Sequence, residues 1–498
     1  MQLALSNAYA VAMLGVSALG EGVALIVAGG TARMLYSEAD LNRAMSLSLG
    51  PVNATNSGYV SLQSLAAPQH DNHSAPGHGF AFQTEGTILR AFVFGGHMTA
   101  LTSAVLGSTE QPGTSSQVST NQGPLIGVET FAMLGGANGA FAAVSQWNTA
   151  GVKLFKVEDN GALTSTDQIT DTAKSYVANI SDTETVTLAG QDYLLTLSSV
   201  EDGLTCYAVS TDGKATLIDS LGTRDSFSVS GPAALQVIER DGISYAVVAS
   251  TGSSSLSVVR VNDMGCLFTT DHVVDDRNTR FDHTQVLDSF MAAGRSFVVT
   301  AGTDAGLTVM ELLPGGQLHC FATGVFETGA GMAAVTGIEA AVNGATVTFY
   351  VTDARADGVQ SVNMSLGALG GQIDARAGSA IGTNNADLIW GSAARETLQG
   401  GGGDDFIFSG GGADVMTGGR GADVFVMAEA SDNVRITDFE LRTDSIDLSA
   451  WGRIYSASAL TINPTSSGAL IQFNGHNLTL VAGHSLTAAS FIDSDFAF

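Results

Sequence analysis

The sequence predicts an all-β protein: an N-terminal β-propeller of about seven four-stranded blades, followed by a C-terminal parallel β-roll. Three observations carry that reading. Sixty glycines stand against eight prolines, a balance suited to many short strands joined by tight turns. A strand pattern recurs about every 52 residues between Phe141 and Leu369, and a nine-residue pattern begins at Gly382.

The 52-residue pattern opens on an apolar strand: AFAAVS (Ala140 to Ser145), YLLTLS (Tyr193 to Ser198), YAVVAS (Tyr245 to Ser250), FVVTAG (Phe297 to Gly302) and TFYVTD (Thr348 to Asp353). A second strand follows after a short polar loop: VKLFKV, LTCYAV, LSVVRV, LTVMEL and VQSVNM. Turns come next at Asn160-Gly161, Asp212-Gly213, Met264-Gly265, Gly315-Gly316 and Leu366-Gly367, where Asn-Gly and Asp-Gly suit a two-residue hairpin with positive φ. A further strand after each turn, and apolar segments before the next repeat, complete four strands per unit, which is one propeller blade. Two looser copies precede them, ALIVAG with MLYSE from Ala24 and ILRAFVFG with MTALTSAV from Ile88. Residues 1–375 are therefore assigned to the propeller.

From Gly382 five nonapeptides run on without a break: GTNNADLIW, GSAARETLQ, GGGGDDFIF, SGGGADVMT and GGRGADVFV. Position six is acidic throughout (Asp387, Glu396, Asp405, Asp414, Asp423) and position eight is apolar (Ile389, Leu398, Ile407, Met416, Phe425). Calcium takes six to eight oxygen ligands, which carboxylates and converging turn carbonyls supply. Gly401, Gly402, Gly403, Gly410, Gly411, Gly412 and Gly421 give the backbone the freedom to bring such carbonyls together. A flexible acidic linker would have no reason to keep the apolar column.

These repeats resemble the repeats-in-toxin family, over about 115 residues. The resemblance implies a parallel β-roll with two nonapeptides per turn. One edge would then stack Asp387, Asp405 and Asp423, holding two calcium ions, and the other would stack Glu396 and Asp414, holding one. The first two repeats depart from the family pattern at Asn385, Ala394 and Glu396, so Asp405 with Asp423 is the site closest to it. Residues 376–430 are assigned to the roll. The segment VRITDFELRTDSIDLSAW (Val434 to Trp451) looks like the family's cap. Arg442-Thr443 replaces the usual glycine there, and Asp438 and Asp444 are candidate extra ligands. The end, SLTAASFIDSDFAF, is similar to the C-terminal signals read by type I exporters, so residues 431–498 are assigned to cap and signal.

Charge narrows the partners. Acidic residues outnumber basic ones 48 to 20, for a formal charge of −28, which disfavours nucleic acid and anionic membrane and favours cations. The apolar N-terminus has no basic residue before Arg33 and is broken by Gly15, Gly20 and Glu21, so it reads as neither signal peptide nor membrane span. Cys206, Cys266 and Cys320 are too scattered for a disulfide framework or zinc site. The expected protein is secreted, extracellular or at the cell surface. Its expected partners are calcium ions, a type I exporter, and either itself or a cell-surface ligand.

Propeller ligands meet the loops between second and third strands and between blades, which open on one face. In this chain those loops offer Trp147, Asp202, Asp304 and Asp353, with Asp275, Arg277 and His283 from the connection DDRNTRFDH. They could line a pocket for a cation or a sugar, although polar loop tips are commonly only solvated turns. His70, Asp71, His73 and His78 have conceivable metal spacing, but an exposed loop with incidental histidines is the plainer reading. No HExxH helix, GxSxG elbow or phosphate loop occurs. Two function classes remain: a non-catalytic protein for ligand binding, adhesion or assembly, and a metal-dependent hydrolase or lactonase working in the propeller funnel.

Overall fold

A computed structural model describes residues 6–10, 23–28, 31–38, 43–51, 63–64, 78–85, 88–95, 100–106, 116–136, 139–225, 227–326, 334–353, 360–375, 378–430 and 433–497. Residues 70, 71 and 73 of the histidine segment lie outside these. The chain divides into two compact units, 1–365 less 292–295, and 366–498 with 292–295.

Seven four-stranded antiparallel sheets are present in the first unit among the described residues. Blade three shows the pattern: Val128–Gly136, Gly139–Gln146, Val152–Val157 and Leu163–Ile169 pair in sequence order. Blade four (Ile180–Leu188, Gln191–Ser198, Gly203–Val209, Ala215–Leu221) and blade five (Pro232–Arg240, Ile243–Ser250, Ser255–Val261, Leu267–Val274) repeat it. The apolar strands are buried on both faces, which explains their unbroken apolar runs. In blade four, Leu194 packs toward blade three, while Leu195 and Leu197 pack toward blade five.

Aspartates tie the blades together. On the fourth strands, Asp167 accepts Ala215 N–H at 2.9 Å, Asp219 accepts Leu267 N–H at 2.9 Å, and Asp271 accepts Leu318 N–H at 2.7 Å. Each of the three lies at a β-bulge, where the interrupted ladder turns a side chain toward the next blade. The first strands use the same device, with Asp182 accepting Leu235 N–H at 2.8 Å and Asp288 accepting Ala340 N–H at 2.6 Å.

Two sequence expectations are corrected. The inter-strand turns are longer than a two-residue hairpin. Glu158 N–H bonds Ala162 O, Gly161 N–H bonds Glu158 O, and only the glycine takes positive φ, at 80°. A single left-handed position suffices for this bulged turn, so Met264-Gly265 serves as well as Asn160-Gly161. A Cβ at Gly213 or Gly265 would strike Phe141 or Tyr193 of the preceding blade, which fixes glycine there a second time. Blade seven is the other correction. After Leu366-Gly367 the strand Leu369–Asp374 pairs in parallel with Ala386–Trp390 of the second unit. Blade seven instead takes the N-terminal strand Ser6–Ala10, paired antiparallel to Gln360–Ser365, so the ring is closed by the two ends of its own chain segment.

The second unit is a roll of two sheets. One is a six-stranded parallel sheet that ends on Phe496–Ala497. The other has five parallel strands and continues into an antiparallel hairpin over 461–473. Leu388 pairs with Phe406 and Phe406 with Val424, a shift of two nonapeptides per turn. Ile389, Leu398, Ile407, Met416 and Phe425 are fully buried in one core with Ile436, Ile446 and Phe496.

Candidate calcium site

The position-six column is buried and ordered by one repeated hydrogen bond. Asp387 N–H donates to Asp405 Oδ1 at 2.7 Å, Glu396 N–H to Asp414 Oδ1 at 2.7 Å, Asp405 N–H to Asp423 Oδ1 at 2.9 Å, and Asp423 N–H to Asp444 Oδ1 at 3.1 Å. This stacks Asp387, Asp405, Asp423 and Asp444 along one edge, and Glu396 and Asp414 along the other. Each carboxylate in these ladders has one oxygen facing its own turn.

What that oxygen meets separates the repeats. Asp387 Oδ2 accepts the Thr383 backbone N–H and hydroxyl, the latter at 2.8 Å, and its Oδ1 accepts Gly371 N–H. Glu396 is held in the same way by the backbone N–H and hydroxyl of Ser392. In the later repeats glycine replaces Thr383 and Ser392, so that position offers no hydroxyl. Asp405 Oδ2 and Asp414 Oδ2 are buried without a hydrogen-bond partner. A bare carboxylate oxygen in a buried turn is costly unless a cation neutralises it.

The electrostatics agree. Burial, then the neighbouring Asp423 and Asp387, push Asp405 up to about 8. Burial with Asp444 and Asp438 raises Asp423 to about 7, and burial with Glu396 raises Asp414 to about 6. Of these, Asp405 is the one mainly protonated at neutral pH, and a divalent ion would displace that proton.

The glycines supply the rest of the donor set. Gly401, Gly403, Gly419 and Gly421 lie at φ between 101° and 132°, and Gly410 and Gly412 at 66° and 94°. Positive φ belongs to positions two and four of the nonapeptide; Gly402 and Gly411, at position three, do not have it. Gly400 and Gly418, at position one, are glycine for want of space, since a Cβ there would sit on Asp405 Oδ2 or Asp423 Oδ2. These residues fit calcium: Asp405 and Asp423 would hold it on the first edge and Asp414 on the second, with turn carbonyls completing six to eight oxygens. Asp387 and Glu396 are already saturated by protein donors. Asp438 accepts Gly418 and Gly419 N–H, and Asp444 also accepts Glu440 N–H, so both cap the last turn. Among the described residues no three His, Cys, Asp or Glu side chains gather around one point.

On the propeller, most of the loop acids stitch the backbone. Asp202 accepts Gly231 N–H, Asp353 accepts Ala334 N–H, and Asp275 accepts the Thr279 hydroxyl and Phe281 N–H. His283 pairs with Asp282 at 2.8 Å on the surface, and Arg277 is exposed. Asp304 has one buried oxygen without a partner and is raised by burial, then by Asp275. Trp147 is different: the residue is 47% exposed beside a cavity of about 430 Å³.

Carboxylates on the innermost strands were not foreseen from the sequence. Burial raises Glu184 to about 8, with Asp182 and Asp288 adding to it, and raises Glu129 to about 7. Glu129 stands in an otherwise apolar strand, VETFAMLGG, but Asp182 and Glu184 stand among Ser and Thr in ISDTETVTL, which gives no such signal. A carboxylate raised in the folded state binds protons that the unfolded chain releases, so its stabilising contribution is full below about pH 4.5 and is lost as pH rises through about 8. The melting temperature of the propeller is therefore expected to fall between about pH 5 and pH 8, and Glu184→Gln is expected to flatten that dependence. The gain at pH 8 should be about 1–3 kcal/mol, since Glu184 is partly open to solvent. Thermal melts across that range, with and without the substitution, check this; parallel curves would refute it.

Comparison with known proteins adds the family of the roll. Four copies of the RTX calcium-binding nonapeptide repeat match residues 390–425. No curated protein is similar to the chain by sequence. Among solved structures, a protein from Lactobacillus plantarum is 16% identical with a TM-score of 0.46, covering 68% of this chain and 97% of that one. A protein of unknown function from Desulfotomaculum acetoxidans is 13% identical with a TM-score of 0.41, covering 62% and 86%. An exo-β-1,3-galactanase from Phanerochaete chrysosporium is 9% identical with a TM-score of 0.33, covering 50% and 62%. Motif, register and unsatisfied carboxylates agree that residues 390–425 are RTX calcium-binding repeats wound into a parallel β-roll.

Proposed function

We propose that this chain is a secreted extracellular protein whose roll folds on calcium after export, and whose propeller is a non-catalytic module for ligand binding, adhesion or self-assembly. The observation that carries the calcium half is the pair of buried, partnerless oxygens on Asp405 and Asp414, in turns where glycine stands in place of Thr383 and Ser392. Calcium is scarce in the cytoplasm and abundant outside, so a roll that needs it stays unfolded for a type I exporter and folds beyond it. The last residues fit that order of events. Phe496–Ala497 form the edge strand of the roll's six-stranded sheet, so a signal at this end is accessible only while the roll is open. No helix among the described residues is long and apolar enough to cross a membrane.

The test is Asp405→Ala together with Asp423→Ala, followed by calcium titration of folding. The midpoint is expected to rise by at least about tenfold, or the transition to vanish. An unchanged titration removes the site.

A second reading, a hydrolase or lactonase in the propeller funnel, draws support from the raised carboxylates Asp182 and Glu184. Turnover of a lactone panel that is lost in Glu184→Gln would establish it.

A further inference from the structure

The cavity beside Trp147 lies where blades three and four meet on the loop face of the propeller. Trp147, Asn148 and Thr149 form one wall, and Ala178, Asn179 and Val200 form the other. Both walls are fixed by the backbone. Trp147 N–H bonds Gly127 O at 2.7 Å, and Thr149 is tied to Gln146 O through its N–H and its hydroxyl. Across the cavity, Ala178 N–H donates to Glu201 Oε2 at 2.9 Å, and Asn179 Nδ2 donates to Ser199 Oγ at 3.3 Å. A β-bridge between Ala150 and Ala178 joins the two walls. Asn148 and Asn179 both hold left-handed backbone, at φ 54° and 49°, a conformation asparagine tolerates better than most residues.

Three features define what would fit. The volume, about 430 Å³, lies in the range of small-ligand pockets. Among the described residues the lining has no charged side chain, although the whole chain carries −28. The carboxylate of nearby Glu201 is engaged by a backbone N–H. An anion would be repelled by the protein's overall field, and a cation would find no counter-charge in the pocket. Finally, the apolar surface is concentrated: Trp147 at 47% exposure, Val200 at 63% and adjacent Ile126 at 55%, with asparagine amides and the Thr149 hydroxyl at the rim. A rigid indole face edged by amides suits a neutral ligand that is apolar on its faces and hydroxylated around its edge.

We propose that this cavity binds a neutral saccharide, with a pyranose ring lying on the Trp147 indole and its hydroxyls met by Asn148, Thr149 and Asn179. The inference rests on the propeller being a binding module, and it names the ligand class. It is separate from the roll and from the innermost-strand carboxylates, neither of which lines the cavity.

The chain has three tryptophans. Trp451 is buried at 3% exposure, and Trp390 is stacked on Phe408 at 3.6 Å, so the emission most open to a ligand is that of Trp147. The full chain in calcium is titrated with cello-, laminari-, malto- and chito-oligosaccharides while tryptophan emission and saccharide chain length are followed. At least one saccharide is expected to quench or shift emission. Trp147→Ala should weaken its binding, measured by calorimetry, by about tenfold or more. Asn179→Gly keeps the left-handed backbone, removes the amide, and should weaken binding several-fold. Both variants must retain the parent's circular dichroism, which loop substitutions at exposed or half-exposed positions are expected to do. Equal affinity in Trp147→Ala, or no response to any of the four up to about 10 mM, overturns the proposal. So does a response to an apolar tetrapeptide with none to the sugars. Shortening of a bound saccharide would instead overturn the non-catalytic reading while leaving the ligand class in place.

Discussion

Chelating calcium is expected to strip residues 378–497 of hydrogen-exchange protection while blades three to five keep theirs. Without the ion, each ionised carboxylate at Asp405, Asp423 and Asp414 sits in a buried turn, and those on one edge are stacked through the N–H ladder. An uncompensated buried charge costs several kcal/mol, and marginal domains have only about 5–15 kcal/mol to lose. The metal-free roll can relieve this by protonation, and the sign follows from the raised values. The folded metal-free state holds protons that the unfolded chain has released, so its stability is greatest below about pH 4 and falls as pH rises through about 7 and 8. Calcium dependence should therefore be steepest at about pH 8 and weaker at about pH 5, with protons released on binding. Calcium at about a thousand times its dissociation constant contributes about 4 kcal/mol, enough to decide the equilibrium. Exchange measured by mass spectrometry in calcium and in chelator, at both pH values, checks each part. Equal protection of the roll with and without calcium would show that the partnerless oxygens are tolerated bare.

The sequence displayed the repeats better than the features that close and cap them. Gly161, Gly213 and Gly265 stand out because only glycine fits a left-handed bulged turn packed against a side chain of the blade before, Arg90 for the first and the rings of Phe141 and Tyr193 for the other two. Asp167, Asp219 and Asp271 recur at the same 52-residue spacing, yet a lone aspartate near a strand reads as a turn residue until the bulge beneath it is seen. The N-terminal strand SNAYA has no periodicity that assigns it to a blade 350 residues away, because sheet partners are chosen by topology rather than by local composition. LGGQID went to the roll for the same reason.

Within the roll, the acidic column and the apolar column were legible because period nine leaves little freedom. The division between calcium turns and saturated turns was only half legible. Asn385, Ala394 and Glu396 marked the first two repeats as departures, but the decisive residues are Thr383 and Ser392. Their hydroxyls do for Asp387 and Glu396 what a cation must do for Asp405 and Asp414.

At the other end of the roll, Arg442→Gly is expected to release the C-terminal segment and to destabilise the cap by about 3 kcal/mol. Arg442 stands at φ 69°, where the family pattern has glycine, so the substitution relieves the backbone while deleting the guanidinium. That guanidinium pairs with Asp495, a carboxylate only 1% exposed, and also reaches Ser490 O at 2.9 Å. Ile492 N–H donates to the same Asp495 at 2.7 Å, which leaves the acid hydrogen-bonded but without its counter-charge in the variant. Removing one partner of a buried pair typically costs about 3–5 kcal/mol; the half-exposed arginine places this case at the lower end. The loss should be local. Phe491 and Phe496 are seated in the roll's core, so freeing residues 488–497 also exposes Ile446 on the strand beside them. Arg442→Lys should restore less than half of the loss, because an ammonium cannot reproduce the two directed bonds of the guanidinium. Limited proteolysis in saturating calcium reads the outcome directly. Cleavage confined to the last ten residues in Arg442→Gly, with the nonapeptide repeats intact, is the expected pattern. Full resistance would mean that β-pairing and the two phenylalanines hold the C-terminus without the ion pair.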